Sequence, residues 1–325
     1  MTRRLRALTL VLAVSTAGAL IAATPAGAAP TDLDPADLPR GADIAIPHMD
    51  GTTFVDGDRR VAIDAERATL LGRSGRAFVI GTSGEDGLRP YRILRLRPDD
   101  TIKPLLRSSP WGITVSEDGK RLVRLGNGTR RSSPVSIHSA RSGKLLRERG
   151  FPDYPSVLGM QGRRVLLTTW DRGVFWWDVR GGRTTTVTSR PAGHADLEHD
   201  LLATYTGDPY LDGCTVLSRL SRPARTLWRS CSERVESVNT DGTGIATVHI
   251  LSDGIGPGRV TLRTVRGAKV ARYDAERWFG SIRWEDAETV LLDTNGTEFA
   301  TVRCVLTTCE NASDPEPPIV LRTTR

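Results

Sequence analysis

The chain has 325 residues, with 45 Lys and Arg against 38 Asp and Glu, for a net charge of +7. That length suits one all-β domain as well as it suits two smaller domains. The basic residues are scattered Arg, with Lys only at Lys103, Lys120, Lys144 and Lys269. The longest basic cluster, Arg219 to Arg229, is broken by Ser, Leu and Pro, so no basic stripe of the nucleic-acid-binding kind is present.

The N-terminus carries a three-part pattern. Arg3, Arg4 and Arg6 precede a largely apolar run from Ala7 to Ala23, followed by Pro25 and the small residues Ala26-Gly27-Ala28-Ala29. This is the layout of a secretory signal peptide, expected over residues 1–28 with cleavage near Ala28. No Cys follows the small residues and no second apolar run approaches membrane length. The reading is therefore a secreted or envelope-associated chain without lipid attachment or transmembrane anchor. Residues 29–43, rich in Pro and Asp, read as a flexible leader, and residues 44–325 as a single domain.

From Thr52 onward the chain reads as strands and tight turns. Thr52 to Ile63 (TTFVDGDRRVAI) predicts an outer hairpin that lacks an inner partner. A hairpin unit then recurs as ATLLGRSGRAFVIGTS (68–83), GITVSEDGKRLVRLGN (112–127), PSVLGMQGRRVLLTTW (155–170), HADLEHDLLATYTGD (194–208), ESVNTDGTGIATVHIL (236–251) and GSIRWEDAETVLLDTN (280–295). Asp118-Gly119 and Asp241-Gly242 suit two-residue hairpin turns. Second hairpins with period-2 alternation follow, as in SPVSIHSARSGKLLRER (133–149), GVFWWDVRGGRTTTVT (173–188) and RVTLRTVRGAKVARYD (259–274). Asp64-Ala65-Glu66-Arg67 recurs as Asp274-Ala275-Glu276-Arg277, an offset of 210 residues, or five periods of about 42. Two hairpins per period make four strands, the unit of a β-propeller blade. Six full blades follow. Pro318 to Thr323 (PIVLRT) reads as a terminal strand that would join 52–63 in a composite seventh blade and hide the open edges.

ITVSEDGKRLVRL resembles the inner hairpin of TolB-like propellers. The segment from Trp177-Asp178 to Gly193-His194 resembles the junction between WD repeats, and VSIHSARSGKLLRER is similar to that junction with the Trp-Asp pair replaced. The resemblance covers nearly the whole chain after the signal at the level of fold, and implies a structural hydrogen bond for His194. It indicates no catalytic family, and propellers host many functions.

No residue set predicts catalysis. His194, Asp196 and Glu198 alternate as metal ligands on one strand face would, but the hairpin reading places Glu198 to Asp200 in a turn, and no metal or other cofactor is expected. Asp293, Asn295 and Glu298 lack the spacing of a calcium loop, and Asn295-Gly296 reads as a turn. The sequons at Asn127, Asn295 and Asn311 fall in similar segments and are weak glycosylation signals. The candidate surface comes instead from the linkers between blades: Trp111, Phe151, Tyr154, His194, Trp278 and Phe279 are placed on one rim, where aromatics bury large area with few rotors. The competing expectation is that these side chains pack between blades.

Four Cys in an exported chain read as two disulfides. Cys214 and Cys231 are equidistant from a turn expected at Ser221 to Ala224, and Cys304 and Cys309 from a two-residue turn at Leu306-Thr307. Both pairs are thereby opposed on neighbouring strands. The resulting expectation is a monomeric, non-enzymatic binding module for a protein, peptide or cell-envelope glycan. A secreted glycan hydrolase or lyase with carboxylates in the central channel is the alternative, and a purely structural module the third.

Overall fold

The computed structural model describes residues 29–84 and 87–320. The expected signal peptide, residues 1–28, lies outside the described residues. A short strand, β1 (Thr31–Leu33), precedes seven blades. The first blade holds β2 (His48–Asp50), β3 (Thr53–Asp56) and β4 (Arg59–Ala62). The second holds β5 (Arg67–Ser74), β6 (Ala77–Ser83), β7 (Arg92–Leu96) and β8 (Ile102–Leu106). The third holds β9 (Ile113–Val115), β10 (Arg121–Leu125), β11 (Ser133–Ser139) and β12 (Leu145–Phe151). The fourth holds β13 (Ser156–Gln161), β14 (Arg164–Thr169), β15 (Gly173–Asp178) and β16 (Thr184–Thr188). The fifth holds β17 (Ala192–Asp196), β18 (Leu201–Tyr205), β19 (Thr215–Arg219) and β20 (Arg222–Ser230). The sixth holds β21 (Glu233–Val238), β22 (Gly244–His249), β23 (Arg259–Thr264) and β24 (Lys269–Ala275). The seventh holds β25 (Trp278–Trp284), β26 (Thr289–Asn295), β27 (Phe299–Val305) and β28 (Thr308–Asn311).

The fold is thus the expected seven-bladed β-propeller, antiparallel within every blade, and each recurrent hairpin of the sequence supplies the two inner strands of one blade. The inner strands of successive blades lie side by side around the axis. Five of them carry an irregularity at matching places, between Leu70/Gly72, Val157/Gly159, Ala192/His194, Val235/Ser237 and Phe279/Ile282. A bulge adds twist and bends the strand, as a blade turning away from a central axis requires. Apolar residues from facing blades form the core. Phe151 from the third blade meets Trp177 of the fourth edge-on, with ring centroids 5.3 Å apart, and both are buried. Trp177-Asp178 ends β15 as expected: Asp178 accepts hydrogen bonds from the backbone of Arg180 and Gly181, each at 2.8 Å, which closes the turn.

Ring closure differs from the sequence expectation. The hairpin 52–63 has an inner partner immediately upstream, because His48 pairs with Val55 and Asp50 with Thr53. Its blade is three-stranded among the described residues. Pro318, Ile319 and Val320 belong to no strand, and Leu321 to Thr323 lie outside the described residues. Ile319 is instead held by the Asn295 side chain, which donates to its carbonyl at 3.1 Å and accepts its N–H at 2.9 Å.

The stretch 29–43, expected as a flexible leader, is an ordered strap. Strand β1 pairs in parallel with β24 and covers the outer edge of the sixth blade. Asp34 accepts from the Thr297 hydroxyl and N–H, and the Asn311 side chain donates to the Pro35 and Leu38 carbonyls. Arg303 donates to the Ala42 and Asp43 carbonyls, and Glu285 accepts the Ala45 N–H at 2.7 Å. The strap crosses the sixth and seventh blades and delivers the chain to β2. Its Pro and Asp residues form caps and polar anchors, which a compositional reading takes for disorder.

Both disulfides form as expected, Cys214–Cys231 and Cys304–Cys309. Cys304 and Cys309 are directly opposed. The turn of the longer hairpin falls at Leu220-Ser221, before the expected centre, since Arg219 pairs with Arg222. Register shifts on β20 absorb the extra residues and restore Thr215 opposite Ser230, which brings the cysteines together.

Candidate functional site

An inner strand begins where its neighbour ends, so the interblade linkers and the loops from second to third strands share one face. All four exposed aromatic side chains among the described residues lie there. Trp111 is 73% exposed and Tyr154 61%, both in linkers. Trp170 (58%) and Tyr210 (67%) stand in second-to-third-strand loops. Leu88, Leu211, Leu251 and Ile255 are exposed on the same face. Toward the opposite face the large exposed apolar side chains among the described residues, such as Leu145, Leu146 and Leu306, are aliphatic.

Each aromatic has a fixed setting. The Trp111 ring meets Tyr91 edge-on at 6.0 Å, and Gly87 approaches it so closely that a Cβ there would lie 2.9 Å from the ring. Trp170 of the fourth blade stacks on Tyr205 of the fifth at 6.1 Å with planes 12° apart. Tyr210 donates its hydroxyl to Asp253 of the sixth blade at 3.3 Å, and the Asp253 charge pushes the phenol pKa up. The Cys214–Cys231 bridge ties the base of the Tyr210 loop to the next linker. Most unusual is Asp153-Tyr154, two consecutive non-glycine residues with φ of 63° and 47°. This left-handed pair is costly for side chains with a Cβ and persists only where the surroundings hold it. The Asp153 N–H donates to the Arg130 carbonyl at 2.8 Å, and the Arg130 guanidinium lies 3.9 Å from Asp153 and 3.5 Å from Asp171. The result is an outward-pointing Tyr154 beside an interblade charge network.

Of the six predicted rim residues, Trp111 and Tyr154 are exposed and Trp278 is half-buried. Phe151 and Phe279 are in the core between blades, so they are corrected from contact residues to packing residues. His194 is half-buried, burial pushes its pKa down, and its ring makes no hydrogen bond to the described residues, unlike the bond implied by the WD-repeat resemblance. The sequence reading missed Trp170, Tyr205 and Tyr210. They stand in or beside loops without periodicity, and only the hairpin geometry puts those loops on the linker face.

Two of the acidic candidates, Asp196 and Asp293, are committed to structure. Asp196 accepts from the His199 backbone at 2.8 Å and lies 3.1 Å from its ring. Asp293 binds Arg283 and the Thr301 hydroxyl, each at 2.7 Å. Among the described residues no group of three or more His, Cys, Asp or Glu gathers as a metal site would require. The sequon residues Asn295 and Asn311 are buried with their amides bonded, which closes them to glycan attachment.

No family model matches the sequence, and no curated protein matches it. The fold has solved counterparts. The chain is similar to the β-propeller domain of the Trilobed protease from Pyrococcus furiosus, with a TM-score of 0.57 and 14% identity over 83% of this chain and 89% of that one. It is similar to a chain of the Mitotic Checkpoint Complex at a TM-score of 0.54 and 15% identity, covering 82% and 86%. It matches the acylaminoacyl peptidase of Pyrococcus horikoshii at a TM-score of 0.58 and 11% identity over 81% of this chain but 47% of the peptidase. The chain therefore spans about half the length of that enzyme. Identities this low carry the fold alone.

Proposed function

We propose that this propeller is an extracytoplasmic binding module that docks a protein or peptide on the face bearing Trp111, Tyr154, Trp170 and Tyr210. The observation that carries the reading is the confinement of every exposed described aromatic to that face. Tyr, Trp and Arg dominate the binding energy of protein interfaces. The exposed Leu88, Leu211, Leu251 and Ile255 favour a polypeptide over a glycan, whose hydroxyl-rich surface gains little from aliphatic contacts. The two disulfides and the signal-like N-terminus support an oxidising, extracytoplasmic setting.

The test is affinity capture from the native envelope fraction with residues 29–325. A partner held by the wild type should be lost or weakened with Trp111→Ala and Trp170→Ala, and retained with Leu145→Ala on the other side of the ring. Equal capture by all variants overturns the assignment of the face. N-terminal sequencing of the exported product should begin near Ala29, and an intact Met1 or Thr2 terminus in the membrane pellet overturns the location.

A further inference from the structure

On the face opposite the aromatics, a cleft of about 330 Å³ opens between the third and fourth blades. Its lining holds four guanidinium groups, Arg121, Arg147, Arg163 and Arg180, and no carboxylate. Its apolar wall includes Leu146 and Val179. Residues 29–325 contain 42 basic and 38 acidic residues, since the 28 preceding residues hold three Arg and no Asp or Glu. The net charge of that stretch is therefore +4.

Several arginines of the propeller are spent on carboxylates: Arg263 on Glu233, Arg283 on Asp293, Arg303 on Glu285, and Arg259 on Asp274. In the cleft, Arg121 donates to the Gly162 carbonyl at 2.8 Å. Arg147, Arg163 and Arg180 have no hydrogen-bond or ion-pair partner among the described residues. The nearby carboxylate, Asp178, accepts from two backbone N–H groups of its turn and also feels the charges of Arg163 and Arg180, which it answers only in part. The backbone of the walls is fixed in advance. The Glu117 N–H donates to the Met160 carbonyl at 3.0 Å, and Arg149 donates to the Gly182 carbonyl, both across the blade boundary. Binding there would order side chains but not the backbone of the walls, which lowers its cost.

We infer that this cleft is a binding site for a diphosphate group. Guanidinium forks match phosphate oxygens in pairs. A single carboxylate leaves most of four positive charges unanswered, whereas each phosphate adds roughly −1.5 to −2. Leu146 and Val179 would cover an apolar continuation of the ligand. The same chemistry has two sources, a soluble diphosphate and a diphosphate borne on a lipid.

Calorimetric titration of residues 29–325 at 0.15 M salt uses inorganic diphosphate and monophosphate as probes. Diphosphate should bind, about tenfold or more tighter than monophosphate, and Arg147→Gln with Arg163→Gln should weaken it about tenfold per arginine. Both positions are exposed, so the double variant should keep the wild-type Tm. Arg277→Gln, on the aromatic face, should leave binding unchanged. Absence of binding, or equal weakening by Arg277→Gln, overturns the site. Co-sedimentation with phosphatidylcholine vesicles carrying an alkyl diphosphate then separates the sources: capture beyond plain vesicles, lost in the double variant, assigns the lipid, and its absence with intact diphosphate binding assigns the soluble ligand.

Discussion

Replacing Tyr154 by Gly and by Ala tests whether the rim is built on backbone held for display. Both variants remove the same ring, so lost packing and lost ligand contact cancel in the comparison. What differs is a Cβ at φ of 47°. A side chain with a Cβ costs about 1–2 kcal/mol in the left-handed region, where Gly has no penalty. Against this, Gly frees the unfolded chain, which costs about 0.4–1 kcal/mol relative to Ala. The difference leaves Tyr154→Gly more stable than Tyr154→Ala by about 0.5–1 kcal/mol, an inversion of the usual order. Urea denaturation resolves this, and the melting temperatures should differ by about 2 °C. The same exchange at Leu211, exposed on the same face and outside the left-handed region, should keep the usual order. If Ala equals or exceeds Gly at position 154, Tyr154 is not conformationally strained and the argument for a display position fails. Both variants should lose the partner equally.

Glu233 binds Arg263 through two bonds of 2.7 and 2.8 Å and accepts from Thr247 at 2.7 Å. Burial alone would raise its pKa, but these bonds and the Arg263 charge outweigh it and hold the carboxyl below its ordinary value. A depressed folded pKa gives stability that is present above about pH 4.3, the free Glu value, and lost as pH falls through the folded one. Glu233→Gln should cost about 2 kcal/mol at pH 7 and flatten the acid limb of a Tm-against-pH curve. Leu33→Ala, in the strap where Leu33 is fully buried against the sixth and seventh blades, should cost about 3 kcal/mol by chemical denaturation; a cost under about 0.5 kcal/mol would mean the strap is not part of the cooperative fold. Removing both Cys214 and Cys231 as Ser should cost about 3 kcal/mol for a loop of this length, and should raise hydrogen exchange in residues 206–213 more than elsewhere.

How much was legible in the sequence follows from how local each feature is. The hairpins were readable because a strand, its turn and its partner lie within about twenty residues, and their repetition at a fixed period gives the blade count. The disulfides were readable for the same reason. Even the misplaced turn at Leu220-Ser221 did no harm, because bulges restored the register around the cysteines. Trp177-Asp178 was recognisable because a buried ring and a turn-capping carboxylate occupy adjacent positions.

Solvent exposure was not local and was not readable. Phe151, the last residue of β12, and Tyr154 in the linker after it are three residues apart, yet the first is enclosed by the fourth blade and the second, turned outward by two left-handed residues, faces solvent. Trp170 and Tyr205, 35 positions apart in sequence, meet only because two blades stand side by side. The strap looked like a solvated leader because the partners of its polar groups, among them Asn311, Arg303 and Glu285, lie about 240 residues or more away. The four arginines of the cleft are scattered over some sixty positions, and no spacing rule gathers them. The sequence by itself determined the repeating unit, its strands and its cross-links, since those depend on neighbours along the chain. Only the closed ring decided which aromatics face outward, where the N-terminal segment rests and which arginines gather in one cleft, since each depends on which distant surfaces are pressed together and thereby removed from water.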